Sequence, residues 1–284
     1  MNSDIMNDLE GRTAILTGAS GGLGLYIAQA LASQKMNLVV SALLGSGLDE
    51  IVAKLSDQTR IISVPADVMD KTALESLVLK ASRTFGAIDV LINNVGIAMF
   101  FPYHRLRAED IERAINVNLT STLLLTWMVL PGMLERRCGH IVNISSLSAK
   151  GGPPCAELYA ATKAGLIAFT ESLRAEYCGT GVSASAICPG FVEAGIYQRA
   201  VEDTGLIAPR LMGTSSPEAV AYSVIQAIKK DIPEIVVNPG PTRLLTTAAE
   251  LSPSFAEWVM RHFGINRWFK KVAEVRERKG TPNR

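Results

Sequence analysis

Thr13-Ala-Ile-Leu-Thr17-Gly18-Ala-Ser20-Gly-Gly22-Leu23-Gly24 is the stretch on which the reading of this chain turns. Thr13 to Thr17 is a short apolar run. Leu25, Ile27, Ala28 and Leu31 then recur at helical spacing. The order is therefore strand, glycine turn, helix. A turn of this kind lets the backbone approach a diphosphate, and the helix N-terminus favours its negative charge. The spacing is G-x-x-x-G-x-G, not the commoner G-x-G-x-x-G, and a plain tight connection between strand and helix would use the same glycines.

Gly18, Ser20 and Gly22 also fit G-x-S-x-G, the nucleophile elbow of serine hydrolases. That chemistry needs a later acid and histidine, and an earlier strand to supply an oxyanion loop. Of His104, His140 and His262 only the last lies far downstream, and the turn follows the first strand. The dinucleotide reading is the better one.

Further along, Leu38 to Ala42, Ile61 to Pro65, Ile88 to Ile92, Ile141 to Ile144, Val182 to Ile187 and Glu234 to Val237 read as strands. Helical patterns lie between them, around Leu48 to Leu55, Thr72 to Ser82 and Glu109 to Leu134. Alternating strands and helices predict an α/β fold, a doubly wound parallel sheet of about seven strands with right-handed crossovers. Ligands bind such sheets at the carboxyl ends of the strands. The glycine turn, Asp67, Asn93-Asn94-Val95-Gly96, Ser145-Ser146 and Pro189-Gly190 all fall there. Asn116 and Asn118 sit inside a long helix, where asparagine competes for backbone hydrogen bonds. Either they face solvent or they have a task.

The chain has 284 residues, 48% of them hydrophobic, and a formal net charge of +1, which supports a large core and gives no argument for nucleic acid. Cys138, Cys155, Cys178 and Cys188 have no paired metal spacing, so no metal site is expected and a reduced, cytoplasmic setting is the simplest one. Met1 to Arg12 lacks an apolar signal core, and the apolar stretch Leu123 to Leu134 is too short to span a bilayer. The glycosylation patterns at Asn118 and Asn143 are accordingly discounted.

Tyr159-Ala-Ala-Thr-Lys163 places a phenol and an amine on one helix face. A phenol is a poor acid-base catalyst at neutral pH, and a neighbouring ammonium would lower its pKa. Taken alone, the pair is more often two unremarkable surface residues. It gains meaning only beside a hydride source and groups that bind a carbonyl.

With these pieces in order, the chain resembles the short-chain dehydrogenase/reductase family. The resemblance rests on Thr17 to Gly24, Asp67-Val68, Asn93 to Gly96, Asn118, Ser146, Tyr159-x-x-x-Lys163 and Pro189-Gly190, and covers roughly residues 10 to 240. Ser146 precedes Tyr159 by thirteen residues, the spacing usual in that family. The resemblance implies that Tyr159 is the acid in carbonyl reduction and the base in alcohol oxidation. It implies that Lys163 holds the nicotinamide ribose and tunes Tyr159, that Ser146 bonds the reacting oxygen, and that Asn118 holds a relay water. It further implies a cofactor site built from Gly18, Ser20, Gly22, Leu23, Gly24, Asp67, Val68, Asn94, Gly96, Pro189, Gly190 and Val192, with Tyr159 and Lys163 at its end. Asp67 and Val68 would lie near the adenine and Asn94 near the adenosine ribose.

Three positions depart from the family pattern. Val95 replaces an alanine, Ala194 a threonine that bonds the nicotinamide amide, and Leu43 stands where Asp often selects NAD and Arg NADP. Without an acid at position 43, NADP(H) is favoured and NAD(H) remains the alternative, with the Gly45-Ser46-Gly47 loop as a source of donors to a phosphate.

The segment Phe191 to Ser216 would form part of the substrate pocket, with Ile196, Tyr197, Leu206, Ile207, Leu211 and Met212, and Met99 to Pro102 would face the same cleft. These side chains favour an apolar carbonyl or secondary alcohol, or simply pack a lid. A 3-ketoacyl thioester of lipid metabolism is the runner-up substrate, and a cofactor-binding regulator without turnover the rival from another class. The expected divisions are a catalytic domain over 1–240 and a helical extension over 241–284, assembled as a homodimer or homotetramer. In the extension Ile265, Trp268, Phe269, Val272 and Val275 recur at helical spacing among eight Lys or Arg and two Glu between Arg261 and Arg284. Such a helix can lie on an anionic membrane or dock on the protein with Trp258 and Phe263 extending the contact. Docking is preferred.

Overall fold

The computed structural model describes residues 6–210, 212–239 and 242–280; Leu211 and the expected boundary at 240/241 lie outside them. Seven strands form one parallel sheet: β1 (Thr13–Thr17), β2 (Asn37–Ser41), β3 (Ile61–Ser63), β4 (Val90–Asn93), β5 (Gly139–Ile144), β6 (Val182–Pro189) and β7 (Glu234–Val237). Their order is β3-β2-β1-β4-β5-β6-β7. The chain reverses direction across the sheet between β1 and β4, which opens a crevice at their carboxyl ends.

Nine helices precede β7 or cross between strands: α1 (Gly24–Ser33), α2 (Leu48–Leu55), α3 (Lys71–Phe85), α4 (Ala108–Ile115), α5 (Ser121–Glu135), α6 (Ser148–Gly151), α7 (Glu157–Glu176), α8 (Gly195–Thr204) and α9 (Pro217–Lys230). Three more follow the sheet: α10 (Thr242–Leu251), α11 (Pro253–His262) and α12 (Ile265–Arg278).

Both faces of the sheet are covered, so the strands are apolar throughout rather than alternating with polar residues. The two-residue period still sorts them. Ala14, Leu16, Leu38, Val40, Val90 and Ile92 face one core with α1 and α9, whereas Ile15, Val39, Leu91 and Ile141 face the other with α3 and α5. A buried polar chain ties the middle together. Asn93, paired in register with Asn143, donates to its Oδ1 at 2.9 Å, and Asn143 donates to Thr170 Oγ1 of α7 at 2.9 Å. In a dry interior these amides need partners, and each finds one on the neighbouring element.

The expected helix over 109–134 runs unbroken from Ala108 to Glu135, but a π turn at Asn116–Thr120 separates α4 from α5. It is long and apolar enough to cross a membrane, which corrects the length read from Leu123 to Leu134. Here it packs on the sheet, burying Leu125, Val129 and Met133. The expected strand at Ile88 to Ile92 instead runs Val90–Asn93, because Asn93 continues the ladder against β5. The third strand stops at Ser63, two residues early, and the second spans Asn37–Ser41.

Candidate active site

The glycine turn comes first. Gly18 has φ +65°, a left-handed conformation that other residues adopt only with strain. A Cβ at Gly22 would run into the backbone of Gly195 at the start of α8. Asn94 closes the other side. Its Nδ2 donates to the carbonyls of Thr17 (3.1 Å) and Gly18 (3.0 Å), and its N–H donates to Thr17 Oγ1 at 3.1 Å. The side chain thus braces the turn from beneath. Its Nδ2 bonds go to backbone, while the side chain still lines the cleft where the resemblance puts the adenosine ribose. Thr17, the end of β1 and the first residue of the glycine motif, bridges β1 and β4 with its hydroxyl, which also donates to Ile92 O at 3.3 Å.

One cleft of about 550 Å³ opens along these strand ends. Gly18, Ser20, Gly22, Leu23, Asp67, Val68, Asn94, Gly96, Ser146, Tyr159, Lys163, Pro189, Gly190 and Val192 line it. Gly24 and Asn118 do not line it. Gly24 lies under the turn, where a Cβ would meet the Gly18 carbonyl. Asn118 lies one layer back.

The π turn gives Asn118 its place. The residue is fully buried, its Oδ1 accepting from Ile97 N and its Nδ2 donating to Ile97 O, both at 2.8 Å. Nδ2 also donates to Thr162 Oγ1 at 3.2 Å. An asparagine that helix propensity disfavours is here satisfied by a peptide group outside the helix, and it fixes the loop after β4 against α7. The same burial rules out a glycan at Asn118, and Asn143 is equally enclosed.

Ser146 follows β5 on the other wall. Its Oγ accepts from Ser148 N at 3.1 Å, which opens α6, and its hydroxyl hydrogen-bonds the Tyr159 phenol. Lys163 is 2% exposed, its Nζ donating to Ile144 O at 2.7 Å and lying 5.7 Å from the Tyr159 ring centroid. Ser145 Oγ donates to Lys163 O at 2.7 Å, clamping α7 to the end of β5.

The electrostatics correct the sequence expectation. Burial pushes the Tyr159 phenol up to about 12, and the Ser146 hydrogen bond only partly opposes it. Burial brings the Lys163 ammonium down to about 8. Lys163 aims its charge at a carbonyl rather than at the phenol oxygen, so desolvation wins over attraction. Tyr159 is therefore a protonated donor at neutral pH.

The cleft's contents suit a dinucleotide followed by an apolar carbonyl compound. Gly18, Gly21 and Gly22 bring bare backbone to the cleft floor, with Ser20 and Leu23 beside them. Asp67 is the only carboxylate lining the cleft among the described residues, against Arg113, Lys150, Lys163 and Arg199. Beyond Tyr159 the lining becomes Phe100, Phe191, Tyr197, Trp268 and Phe269. Lys150 and the α11 residues Val259 and Met260 were not foreseen. No motif marks them, since they arrive by tertiary packing alone. Ala194, 6% exposed, starts α8, and Leu43 is 58% exposed at the other end of the cleft.

Comparison with known proteins agrees. The family model for short chain dehydrogenase matches residues 12–205. A protein called ketoacyl reductase HetN, from a Nostoc species, is 39% identical over 282 residues, covering 97% of each chain. The 3-oxoacyl-[acyl-carrier-protein] reductase FabG of Thermotoga maritima is 32% identical over 76% of this chain and 90% of its own. Oxidoreductase UcpA of Salmonella typhimurium is 32% identical over 78% of this chain and 82% of its own. The chain belongs to the short-chain dehydrogenase family, as an NAD(P)-dependent oxidoreductase interconverting a carbonyl and an alcohol.

Proposed function

We propose that this enzyme reduces the 3-oxo group of an acyl thioester with NADPH, in the cytoplasm. The observation that carries the reading is the match to a ketoacyl reductase over 97% of both chains, tail included. The apolar lining beyond Tyr159 supports it.

NADPH, when bound, supplies the hydride. The chain's own residues manage the oxygen. The Ser146 hydroxyl, which donates to the Tyr159 phenol oxygen in the open site, would turn its proton to a carbonyl oxygen as charge builds there, beside the phenol as second donor. Tyr159, protonated at neutral pH, gives that oxygen its proton. Lys163, held by Ile144 O, keeps a positive charge beside the ring and orients the ribose. Asn118 holds the Ile97 peptide of the loop that carries Gly96, and Gly96 lies against Lys163 Nζ, where a Cβ would come within 3.1 Å.

One observation favours NADPH over NADH. Ser46 Oγ is buried, lines the cleft beside Leu43, and has no hydrogen-bond partner; a 2′-phosphate would satisfy it. The half-exposed stripe Ile115, Leu123 and Trp127 along α4 and α5 supports a homodimer through that face.

The test is oxidation of NADPH followed at its nicotinamide absorbance, with 3-oxoacyl thioesters and plain alkyl ketones offered in parallel. Thioester turnover exceeding that of the ketones, and tighter binding of NADPH than NADH by calorimetry, are the expected results. Binding without turnover of any carbonyl would instead make the chain a cofactor-dependent regulator.

A further inference from the structure

The cleft continues past Tyr159, and its far side is made by helices beyond the end of the matched family segment. The match to the family model ends at residue 205, and the Thermotoga reductase aligns with only 76% of this chain, whereas the Nostoc relative matches the tail as well. Leu245 of α10, Ala256, Val259 and Met260 of α11, and Ile265 and Trp268 of α12 nevertheless line the cleft. The opposite faces of the last two helices carry exposed Ser254, Glu257 and Arg261, and Arg267, Lys270 and Lys271. The tail is amphipathic, and its apolar side is turned to the cleft.

This wall is anchored at both ends. On one side Trp268 Nε1 donates to Leu206 O at 3.1 Å, and its ring meets Phe191 edge-on at a centroid distance of 5.0 Å. On the other, Lys150 of α6 pairs with Glu234 of β7 at 3.0 Å and with Glu250 of α10. Met260 leans on the next residue of α6: a Cβ at Gly151 would lie 3.1 Å from its Sδ. The segment that begins at Ser146 is thus covered directly by α11.

We propose that α10 to α12 are the substrate-selecting wall of the cleft, that they take an unbranched aliphatic chain, and that Ala256 and Met260 set the length accepted. This rests on the cleft being the reductase site argued above. The chemistry of the wall decides the class. The aromatic rings of Phe100, Trp268 and Phe269 are 4–6% exposed and pack on one another, so they form a fixed backstop. Beside α6 the lining is mostly aliphatic, Leu245, Ala256, Val259 and Met260 with Thr242 and Thr246 at its edge, and among the described residues α10 to α12 put no carboxylate there.

Steady-state kcat/KM along a ladder of 3-oxoacyl thioesters of rising chain length tests this. A hydrocarbon wall should raise kcat/KM by about three- to fourfold per added methylene until the space is filled. Ala256→Phe should lower the preferred length and Met260→Ala should raise it, each seen as a changed ratio of long to short substrates. Retained NADPH binding confirms that each variant is folded, and Ala256→Leu replaces Ala256→Phe if the larger ring is not tolerated. A profile indifferent to length, or substitutions that scale every substrate alike, would overturn the wall. If thioesters are not reduced, the same ladder is run with 2-alkanones. A length preference there that Ala256→Phe moves keeps the wall and discards the thioester reading, whereas turnover of neither series overturns both.

Discussion

Trp268→Ala should cost the protein a large part of its stability. The side chain is 6% exposed and sits among Phe100, Phe191, Tyr197 and Phe269, with centroid distances from 4.9 to 6.0 Å. Removing a buried aromatic costs about 3–5 kcal/mol, because the transfer term is lost and a cavity remains. The indole donor to Leu206 O disappears as well, which leaves a carbonyl to find water. In a domain of this size each kcal/mol moves the melting temperature by about 2–4 °C. The expected loss is therefore about 6–20 °C in a calorimetric or circular-dichroism melt at fixed protein concentration. Trp258 supplies the comparison: it is 48% exposed and touches Phe255, His262 and Phe263 at the surface of α11. Its replacement by alanine should stay within about 1 kcal/mol. A Trp268→Ala protein melting within a few degrees of the parent, or the two variants melting alike, would refute the view that α12 is integral to the fold. Truncation after Gly264 is the stronger form. It strips Ile265, Trp268, Phe269 and Val272, roughly 6–12 kcal/mol at about 1.5–3 per side chain, against a typical total stability of about 5–15. Aggregation or loss of a cooperative melt is expected without any lipid present; an unchanged melt with lost vesicle binding would support a membrane-surface role instead.

Tyr159→Phe should lower kcat by about 10²–10⁴ while NADPH affinity, read by titration, stays near that of the parent; near-normal turnover would remove Tyr159 from the chemistry. Lys163→Ala should weaken both nucleotide binding and turnover, and a variant altered in neither would leave the ammonium with a purely structural part. His140 should make the protein acid-sensitive: burial brings its pKa down to about 4, so between about pH 6.5 and 4 the unfolded chain takes up a proton that the native state does not. Stability should fall as pH drops through that window, by up to about 3 kcal/mol at its lower end, and His140→Gln, which can still bond Ser185 Oγ, should flatten the dependence of melting temperature on pH.

Much of this was legible because the informative residues are local. A strand, a glycine turn and a helix are contiguous, so Thr13 to Gly24 announces both the first βα unit and the place where a diphosphate fits. The parallel sheet then puts every strand end at one edge, which is why Asp67, Asn94, Ser146 and Pro189 could be assigned to one cleft before any contact was known. What the chain order did not reveal depends on distant partners. Trp258 was expected to bury itself with the tail and is half exposed, because α11 turns Ala256, Val259 and Met260 inward and Trp258 outward. The π turn has no local code either; Asn118 sits there with partners distant in sequence, the Ile97 peptide twenty-one residues away and Thr162 of α7. Tyr159 and Lys163 show the limit most plainly. Their spacing places an ammonium near a phenol, and Coulomb's law alone would lower the phenol's pKa. The fold turns that ammonium toward Ile144 O and buries both groups, so desolvation, which no spacing encodes, reverses the sign. The consequence is a pH dependence. A protonated Tyr159 can give a proton in carbonyl reduction, whereas alcohol oxidation requires the phenolate and should gain as pH rises.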